Sequence, residues 1–562
     1  MCIPIVLLLL ILNHIMRNDS RSWDLAWTRM NEPGMEQSGK SAGQTPYTST
    51  INQLEKGNSP IRLQTAELHK YWDKVFSIFN KNRFNLKLPP GEDFIRYRSY
   101  DGAGTKYSKD ALIHRGLISQ QTHDEMAKKH SIVLEKLPKT LTEGAYVKDS
   151  RGVVILGGGI YSWMAYLSLL ALRDTGSKLP FELLFPLIQE YEEDYDLCNN
   201  ELPKLNAKCV IIPSVLGARV TNKFKFDGYQ FKSLAIVTSS FQHVILLDSD
   251  NFLVEKPDAI FDSDVYKKHG LITWPDYWAR TVSPYFYSIA RIKVHENIRA
   301  RFNRLPMITP LEITPEEQLE VPYHDLEGAL PNLSTESGQL IVNKGTHAHT
   351  ILVSLYYNVF GPSFYYRLFS LGELGEGDKD TFVTAAMSTG EPYYQVKSHI
   401  HTLGFRDSDG FKGLGMGQVD PAEDYLKFQA STKHLHDTYA HKNLSMKEQE
   451  KILKSELDNP FGSTNNATIF AIHANIFKIN PFSYMENSRI YDPANHRLKL
   501  RMYSKFSYKN SKGELVDFEL NRWKLIKLAI CTDQVKFASF VLENVEEVCS
   551  FITNTVEWLQ KN

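Results

Sequence analysis

Val244-Ile245-Leu246-Leu247-Asp248-Ser249-Asp250-Asn251 is the stretch on which the reading of this chain turns: four consecutive aliphatic residues stop at two carboxylates separated by one residue. An apolar run of this length with polar ends reads as a buried strand, and the carboxyl end of such a strand is where open α/β sheets keep their ligand crevice. Two aspartates at i and i+2 on a turning chain can converge on one hard divalent cation, which can in turn bridge the diphosphate of a nucleotide. An acidic, solvated strand end that binds nothing has the same local sequence. The surroundings must decide between the two.

Upstream, the pattern is strand, turn, helix. Residues 153–156 form a buried aliphatic run, Gly157, Gly158 and Gly159 a tight turn, and 162–174 an apolar helix ended by Gly176. A dinucleotide fingerprint fails here, because Ser162 stands where the third glycine belongs and no acidic residue ends the next strand at Phe185. The glycines, with Gly158 at their centre, are instead expected to let the backbone approach a nucleotide base or ribose, simple turn geometry being the alternative. Further strands are expected at 182–187 and 209–212, and a helix at 229–240 leads into the strand 244–247. This alternation predicts an α/β fold with a mainly parallel central sheet and helices on its faces. Before it, Leu68, Tyr71, Trp72, Val75, Phe76 and Phe79 fall at helical spacing, and 108–128 gives a second helical stretch.

Composition bounds the rest. The 562 residues, 42% hydrophobic and 12% aromatic, fit a globular enzyme of one to three domains. Lys plus Arg, 64, nearly balances Asp plus Glu, 65, so no basic excess supports nucleic acid as a partner. Residues 1–12 carry no charge, and Ile15 and Met16 extend the apolar character. That is short of the roughly 20 residues needed to span a bilayer and suits a signal hydrophobic region, so 1–16 reads as a signal-anchor or signal segment, although Arg17 and Arg21 follow it and no basic residue precedes it. Residues 17–62, poor in aliphatics, read as a flexible stem, 63–149 as a helical membrane-proximal region and 150–562 as the catalytic domain. Asn-x-Ser/Thr sequons stand at Asn18, Asn332, Asn443 and Asn466. Besides Cys2, the cysteines fall as two local pairs, Cys198 with Cys209 and Cys531 with Cys549, which suggests two disulfides in an oxidising compartment while leaving three pairings open.

Five motifs then occur in order: Gly228-Tyr229-Gln230-Phe231-Lys232-Ser233-Leu234-Ala235, the Asp248-Ser249-Asp250 turn, Trp274-Pro275-Asp276-Tyr277-Trp278-Ala279-Arg280, Glu336-Ser337-Gly338-Gln339-Leu340, and Gly375-Glu376-Gly377-Asp378-Lys379-Asp380-Thr381-Phe382. With them the chain, from about Val153 to Cys549, closely resembles the fungal α-1,2-mannosyltransferases of glycosyltransferase family 71 that branch cell-wall mannan. The resemblance implies a GT-A fold, a type II Golgi membrane protein with its catalytic domain in the lumen, GDP-mannose as donor, a mannoside or mannan acceptor, Mn2+ or another divalent cation, and transfer with retention of the α configuration. Complexes with other mannosyltransferases are a further partner class it allows.

Carried onto this sequence, the resemblance makes Asp250 the main metal ligand and Asp248 a contact to the metal or the donor ribose. His473, after the hydrophobic run 468–472, resembles the late histidine that completes the metal site, and imidazole with carboxylates suits Mn2+. Lys232 is expected to pair with a donor phosphate or the nucleotide, with Tyr229 and Gly158 also on the donor side. Asp276 between Trp274 and Trp278, with Arg280 beside it, suggests a sugar platform and is counted with the catalytic groups. Asp378 and Asp380 follow a glycine-rich stretch and resemble the acidic loop beside the donor sugar. They are expected to stabilise an oxocarbenium-like transition state or orient the acceptor hydroxyl, and the sequence names neither as a nucleophile, front-face attack being at least as compatible with the resemblance. Rival readings are an α-1,3-mannosyltransferase on the same scaffold and a catalytically silent, membrane-tethered glycan-binding paralogue. The presence of Asp248, Asp250 and His473 argues against silence.

Overall fold

In a computed structural model, the described residues are 65–84, 94–97, 102–510, 512–539 and 545–562. The expected signal-anchor segment and stem lie outside them. None of the described helices is long and apolar enough to cross a membrane.

Helix α1 (Thr65–Lys81) buries Leu68, Trp72, Val75, Phe76 and Phe79, as its spacing predicts. The second expected helix is in fact two. Ser108 caps α2 (Lys109–Arg115) by accepting from the Ala111 N–H at 3.3 Å, the chain then pairs as a short strand at Gly116–Leu117, and Ser119 caps α3 (Gln120–Lys136) from the Thr122 N–H at 3.1 Å.

The sheet region follows as β1 (Val147–Leu156), α4 (Tyr161–Asp174), β2 (Phe181–Phe185), β3 (Ala207–Ile211), α5 (Gln230–Thr238), β4 (Phe241–Leu247) and β5 (Asn251–Leu253). Then come β6 (Leu271–Pro275), β7 (Thr335–Asn343), α6 (Ala348–Val359), α7 (Thr381–Thr389), β8 (Tyr394–Gln395), β9 (His401–Asp407), β10 (Gly410–Val419) and β11 (Ile469–His473). Helices α8 (Phe518–Lys527) and α9 (Val545–Lys561) close the chain.

The central sheet runs β8-β6-β7-β4-β1-β2-β3. It is mainly parallel, as expected, but mixed: β7 is antiparallel to both of its neighbours, while the other pairings are parallel. Side chains alternate across it. Val153, Ile155, Ile245, Leu247, Ile272 and Trp274 join the core on one face, and Val154, Val244, Leu246, Leu271, Leu340 and Val342 join the core on the other. The second of these cores also takes the apolar stripe of α1 and most of α6, so residues 65–81 share their core with the sheet. Burial on both faces is what continuous aliphatic strands require.

A second, antiparallel sheet has the order β9-β10-β11-β5. The Asp248-Ser249-Asp250 turn is therefore a hand-over. It ends β4 of the first sheet and starts β5 of the second, and β5 pairs with β11 in the register His473↔Asn251.

Candidate active site

The hand-over explains how distant residues meet. Pairing of β5 with β11 sets His473 beside Asp250, and the Ala474 N–H closes the contact by donating to Asp250 O at 3.0 Å. His473 Nε2 lies 3.2 Å from Asp250 Oδ1 and 3.8 Å from Asp248 Oδ2. One ligand atom from each of the three lies within 4.8 Å of the others. Two carboxylates and an imidazole are a donor set that first-row divalent metals accept, and Asp248, 24% exposed at its side chain, leaves the group open to solvent. These residues can hold a metal ion.

Antiparallel β7 supplies the opposite wall. The Asp248 N–H donates to Gly338 O at 2.8 Å, which places Glu336, Ser337 and Gly338 against the acidic turn. Gly338 is needed for space: a Cβ there would stand 2.4 Å from His473 Nδ1. The Glu336 carboxylate, which accepts from the Gly338 N–H at 2.5 Å, is 3.5 Å from that same nitrogen. A carboxylate facing the far nitrogen of an imidazole orients it and leaves the near nitrogen free to ligate. Burial lowers the imidazole's proton affinity, yet Asp250 and Glu336 together outweigh it and push His473 up to about 10. Asp250 is held well below the usual carboxylate range, burial being outweighed by His473 and Lys478, whose ammonium also donates to it.

Lys232, on α5, points into the same cluster. Its ammonium donates to Asp248 Oδ2 at 2.8 Å and to Ser337 O and Oγ at 3.2 Å, and lies 3.9 Å from Asp378 Oδ1. Burial opposes its charge, but Asp248 and Asp378 raise its pKa above the ordinary lysine value. Asp378 accepts from Ser337 Oγ at 3.0 Å, while its buried Oδ2 has no hydrogen-bond partner among the described residues. Burial and the neighbouring Asp248 carry this carboxyl up to about 6 against the pull of Lys232. Tyr229 is 54% exposed at the start of α5, with Lys232 Nζ 5.9 Å over its ring.

Two other expected groups are committed elsewhere. Asp380 Oδ1 accepts Arg280 Nη1 at 2.6 Å and the Thr335 N–H at 2.9 Å, and Arg280 also donates to Pro331 O, Leu333 O and Gln395 Oε1. Arg280 and Asp380 thus form a buried brace between β7 and the start of α7. The sugar platform expected between two tryptophans is not formed: Trp274 is fully buried, stacks on Phe470 with centroids 5.6 Å apart and donates to Val419 O at 2.8 Å. Alternation along β6 turns position 274 into the core. Asp276, at the end of β6, pairs with Lys379 at 2.8 Å and is raised to about 6 by burial, which outweighs that lysine. Gly158 sits on the same carboxyl edge at the end of β1, and no contact joins it to the acidic cluster among the described residues. Its positive φ of 93° suits glycine, and its N–H donates to Ser162 Oγ at 2.9 Å. Ser162, which departs from a dinucleotide fingerprint, therefore closes the turn itself. Glu336, Ser337 and Lys478 are the participants that local sequence did not assign a role, since each acts only through pairing with residues far along the chain.

Residues 150–420 match the mannosyltransferase family model Mannosyl_trans3. Over 534 residues the chain is 42% identical to Alpha-1,2-mannosyltransferase MNN23 of Candida albicans, covering 90% of this chain and 88% of that protein. It is 35% identical over 461 residues to Alpha-1,2-mannosyltransferase MNN2 of Saccharomyces cerevisiae, covering 78% of this chain and 75% of that one. Mouse xyloside xylosyltransferase 1 aligns over 44% of this chain and 85% of its own at 16% identity and a TM-score of 0.26, a likeness too slight to carry an argument. The extent of identity across nearly the whole length settles kinship: this chain belongs to the α-1,2-mannosyltransferase family and is a glycosyltransferase.

Proposed function

We propose that the protein is a metal-dependent, retaining α-1,2-mannosyltransferase of the GT-A type, which moves mannose from GDP-mannose onto mannose-containing glycans in the Golgi lumen, tethered by its N-terminal segment. The observation that carries this reading is the convergence of Asp248, Asp250 and His473 at the carboxyl edge of the sheet, where open α/β folds bind nucleotides.

Asp248, Asp250 and His473 are the residues that would hold the cation, with Mn2+ fitting the mixed oxygen and nitrogen donors. Bound there, a divalent cation supplies charge neutralisation for the diphosphate leaving group. Lys232 adds a fixed ammonium beside it, pre-oriented by Asp248 and Ser337, so no reorganisation is required as charge develops on the departing oxygen. Glu336 and Gly338 hold the His473 ring in place. Asp378, with Oδ2 unpartnered, is the carboxyl assigned to the sugar, where it stabilises positive charge at the anomeric carbon or orients the acceptor hydroxyl. Gly158 and Tyr229 are assigned to the nucleotide flank.

The test is incubation of the full chain with GDP-mannose, Mn2+ and α-1,6- or α-1,2-linked mannosides, with product linkage and anomer read by NMR. An α-1,2-linked α-mannoside is expected, and Asp250→Ala should reduce its formation by about 10³ or more through loss of charge stabilisation at the leaving group. A β-linked product or no transfer overturns the reading. An α-1,3-linked product replaces the linkage alone.

A further inference from the structure

The order of strands separates two flanks of the cleft. β4, which bears the acidic turn, has β1 with its glycine turn on one side and β7 then β6 on the other. All of β1, β4 and β6 present their carboxyl ends to the same edge. A nucleotide laid along the first flank leaves the second for the acceptor. Exposed large apolar side chains follow two of these carboxyl ends, Ile160 after β1 and Tyr277 after β6.

Tyr277, the residue after Asp276, heads the second flank. It is 43% exposed although three residues away Trp274 is wholly buried. Its ring does not swing freely: the hydroxyl is hydrogen-bonded to Thr402 Oγ1 of β9 at 2.6 Å, and its backbone N–H donates to Asp276 Oδ1 at 2.6 Å. Asp276 is fixed in turn by Lys379, which also donates to Ser334 Oγ at 3.2 Å. Register brings this group next to the cluster, because the Asp276 N–H donates to Ser334 O at 2.8 Å and Glu336, beside His473, is two residues further along β7. A rigid aromatic face held open beside hydroxyl, ammonium and carboxylate groups matches a pyranose, which offers a C–H face to an electron-rich ring and hydroxyls to polar neighbours. Because the ring is already fixed, binding a sugar costs little ordering.

We infer that Tyr277 is the platform on which the acceptor saccharide stacks, with Asp276, Lys379 and Thr402 as the residues that position it. The inference rests on the transferase reading above and goes beyond it in naming the acceptor subsite. Two arms keep their fates separate. In the first, initial rates of the full chain are measured with GDP-mannose and α-1,6-mannobiose for wild type, Tyr277→Ala and Tyr277→Phe. Tyr277→Ala should raise the acceptor KM about tenfold, the equivalent of about 1.4 kcal/mol, by a factor well above any change in donor KM, and Tyr277→Phe, which keeps the ring, should stay within about threefold of wild type. In the second, saturation-transfer NMR with α-1,6-mannobiose and no donor reads contact with the sugar's ring protons, which wild type and Tyr277→Phe should show and Tyr277→Ala should lose while its melting temperature holds. Absence of turnover in wild type would sink the transferase reading and leave this second arm to judge the platform. Equal saturation transfer to wild type and Tyr277→Ala, or an acceptor KM unmoved in Tyr277→Ala, overturns the inference.

Discussion

At Asp250 one buried carboxylate faces an imidazole and an ammonium, and its fate depends on which of them a substitution removes. His473 contributes the imidazole from β11, so His473→Ala deletes a ligand of the proposed metal site and also leaves Glu336 facing an empty wall. The expected result is at least a tenfold rise in the Mn2+ concentration that gives half-maximal transfer, larger than any change in GDP-mannose KM at saturating Mn2+. Mn2+-induced protection from thermal unfolding should shrink in parallel, since a ligand bound only by the native state stabilises it according to its affinity. A variant whose Mn2+ dependence is unchanged would make His473 a structural residue. Asp380 illustrates the opposite case. Its place in an acidic loop was legible, but the 2.6 Å contact with Arg280, one hundred residues earlier, gives the carboxylate a bracing role that no local pattern announces.

At the level of elements, helix α8 carries a buried acid whose cost is measurable. Glu519 accepts the Met502 and Tyr503 N–H groups at 3.0 and 3.2 Å, yet burial outweighs them and raises its carboxyl to about 7 from 4.5. Between those values the folded protein keeps a proton that the unfolded chain releases, so this group's contribution to stability falls as pH rises from 4.5 to 7 and is level above. Glu519→Gln removes the titration. The stability of the variant relative to wild type should therefore grow by up to about 3 kcal/mol across that window, read from denaturant melts at pH 4.5, 6 and 7.5. A difference that is flat with pH would contradict the assignment. Loops decide the sequons in the same way. Asn443 and Asn466 are exposed in connections between elements, whereas Asn332 is buried, its Nδ2 donating to Asn303 Oδ1 at 2.6 Å and its Oδ1 accepting the Arg280 N–H at 2.7 Å. If the proposed lumenal location is right, protein made through a secretory pathway carries glycans at Asn443 and Asn466 and none at Asn332. Glycopeptide mapping with endoglycosidase treatment checks it, and an intact glycan on Asn332 in folded protein would be incompatible with the fold.

At the scale of the molecule, two disulfides among the described residues tie down the margins of one core. Cys198–Cys209 closes a separation of 11 residues onto β3, and Cys531–Cys549 closes 18 residues between the end of α8 and α9. The cysteines alone left three pairings open; the structure selects the two local ones, which is what short-range closure favours. Each is worth about 3 kcal/mol in the chain-entropy model. The double substitution Cys531→Ser with Cys549→Ser should lower unfolding free energy by that amount and leave the acidic cluster intact, because α9 packs on α8 and supplies no residue to that cluster. Denaturant melts measure the first effect, and peptide mapping without reduction checks the pairing. Mapped peptides that cross-link Cys198 to Cys531 or Cys549 would contradict the fold.

What the sequence determined by itself is everything that local pattern encodes. Continuous aliphatic runs specify strands buried on two faces, glycine and serine place the turns and caps, and the Asp248-Ser249-Asp250 turn marks the carboxyl end of β4. The expected helix at 229–240 and strand at 244–247 correspond to α5 and β4 with their ends moved by a few residues. Only the tertiary structure decided what depends on register between distant segments. Antiparallel β7 was not legible as a strand, because half of it, Thr335 to Gln339, is polar or glycine and lies against the acidic turn, while its aliphatic half joins the core. The meeting of His473 with Asp250 follows from β5–β11 pairing, the burial of Trp274 from its place within β6 and the exposure of Tyr277 from its place beyond the end of that strand at Pro275, and the partners of Asp378 and Asp380 from competition among cations brought together by folding. Hydrophobic periodicity is a property of neighbours along the chain, whereas the partner of a buried charge is chosen by whatever the fold places beside it, and that choice is fixed only once the sheets have assembled.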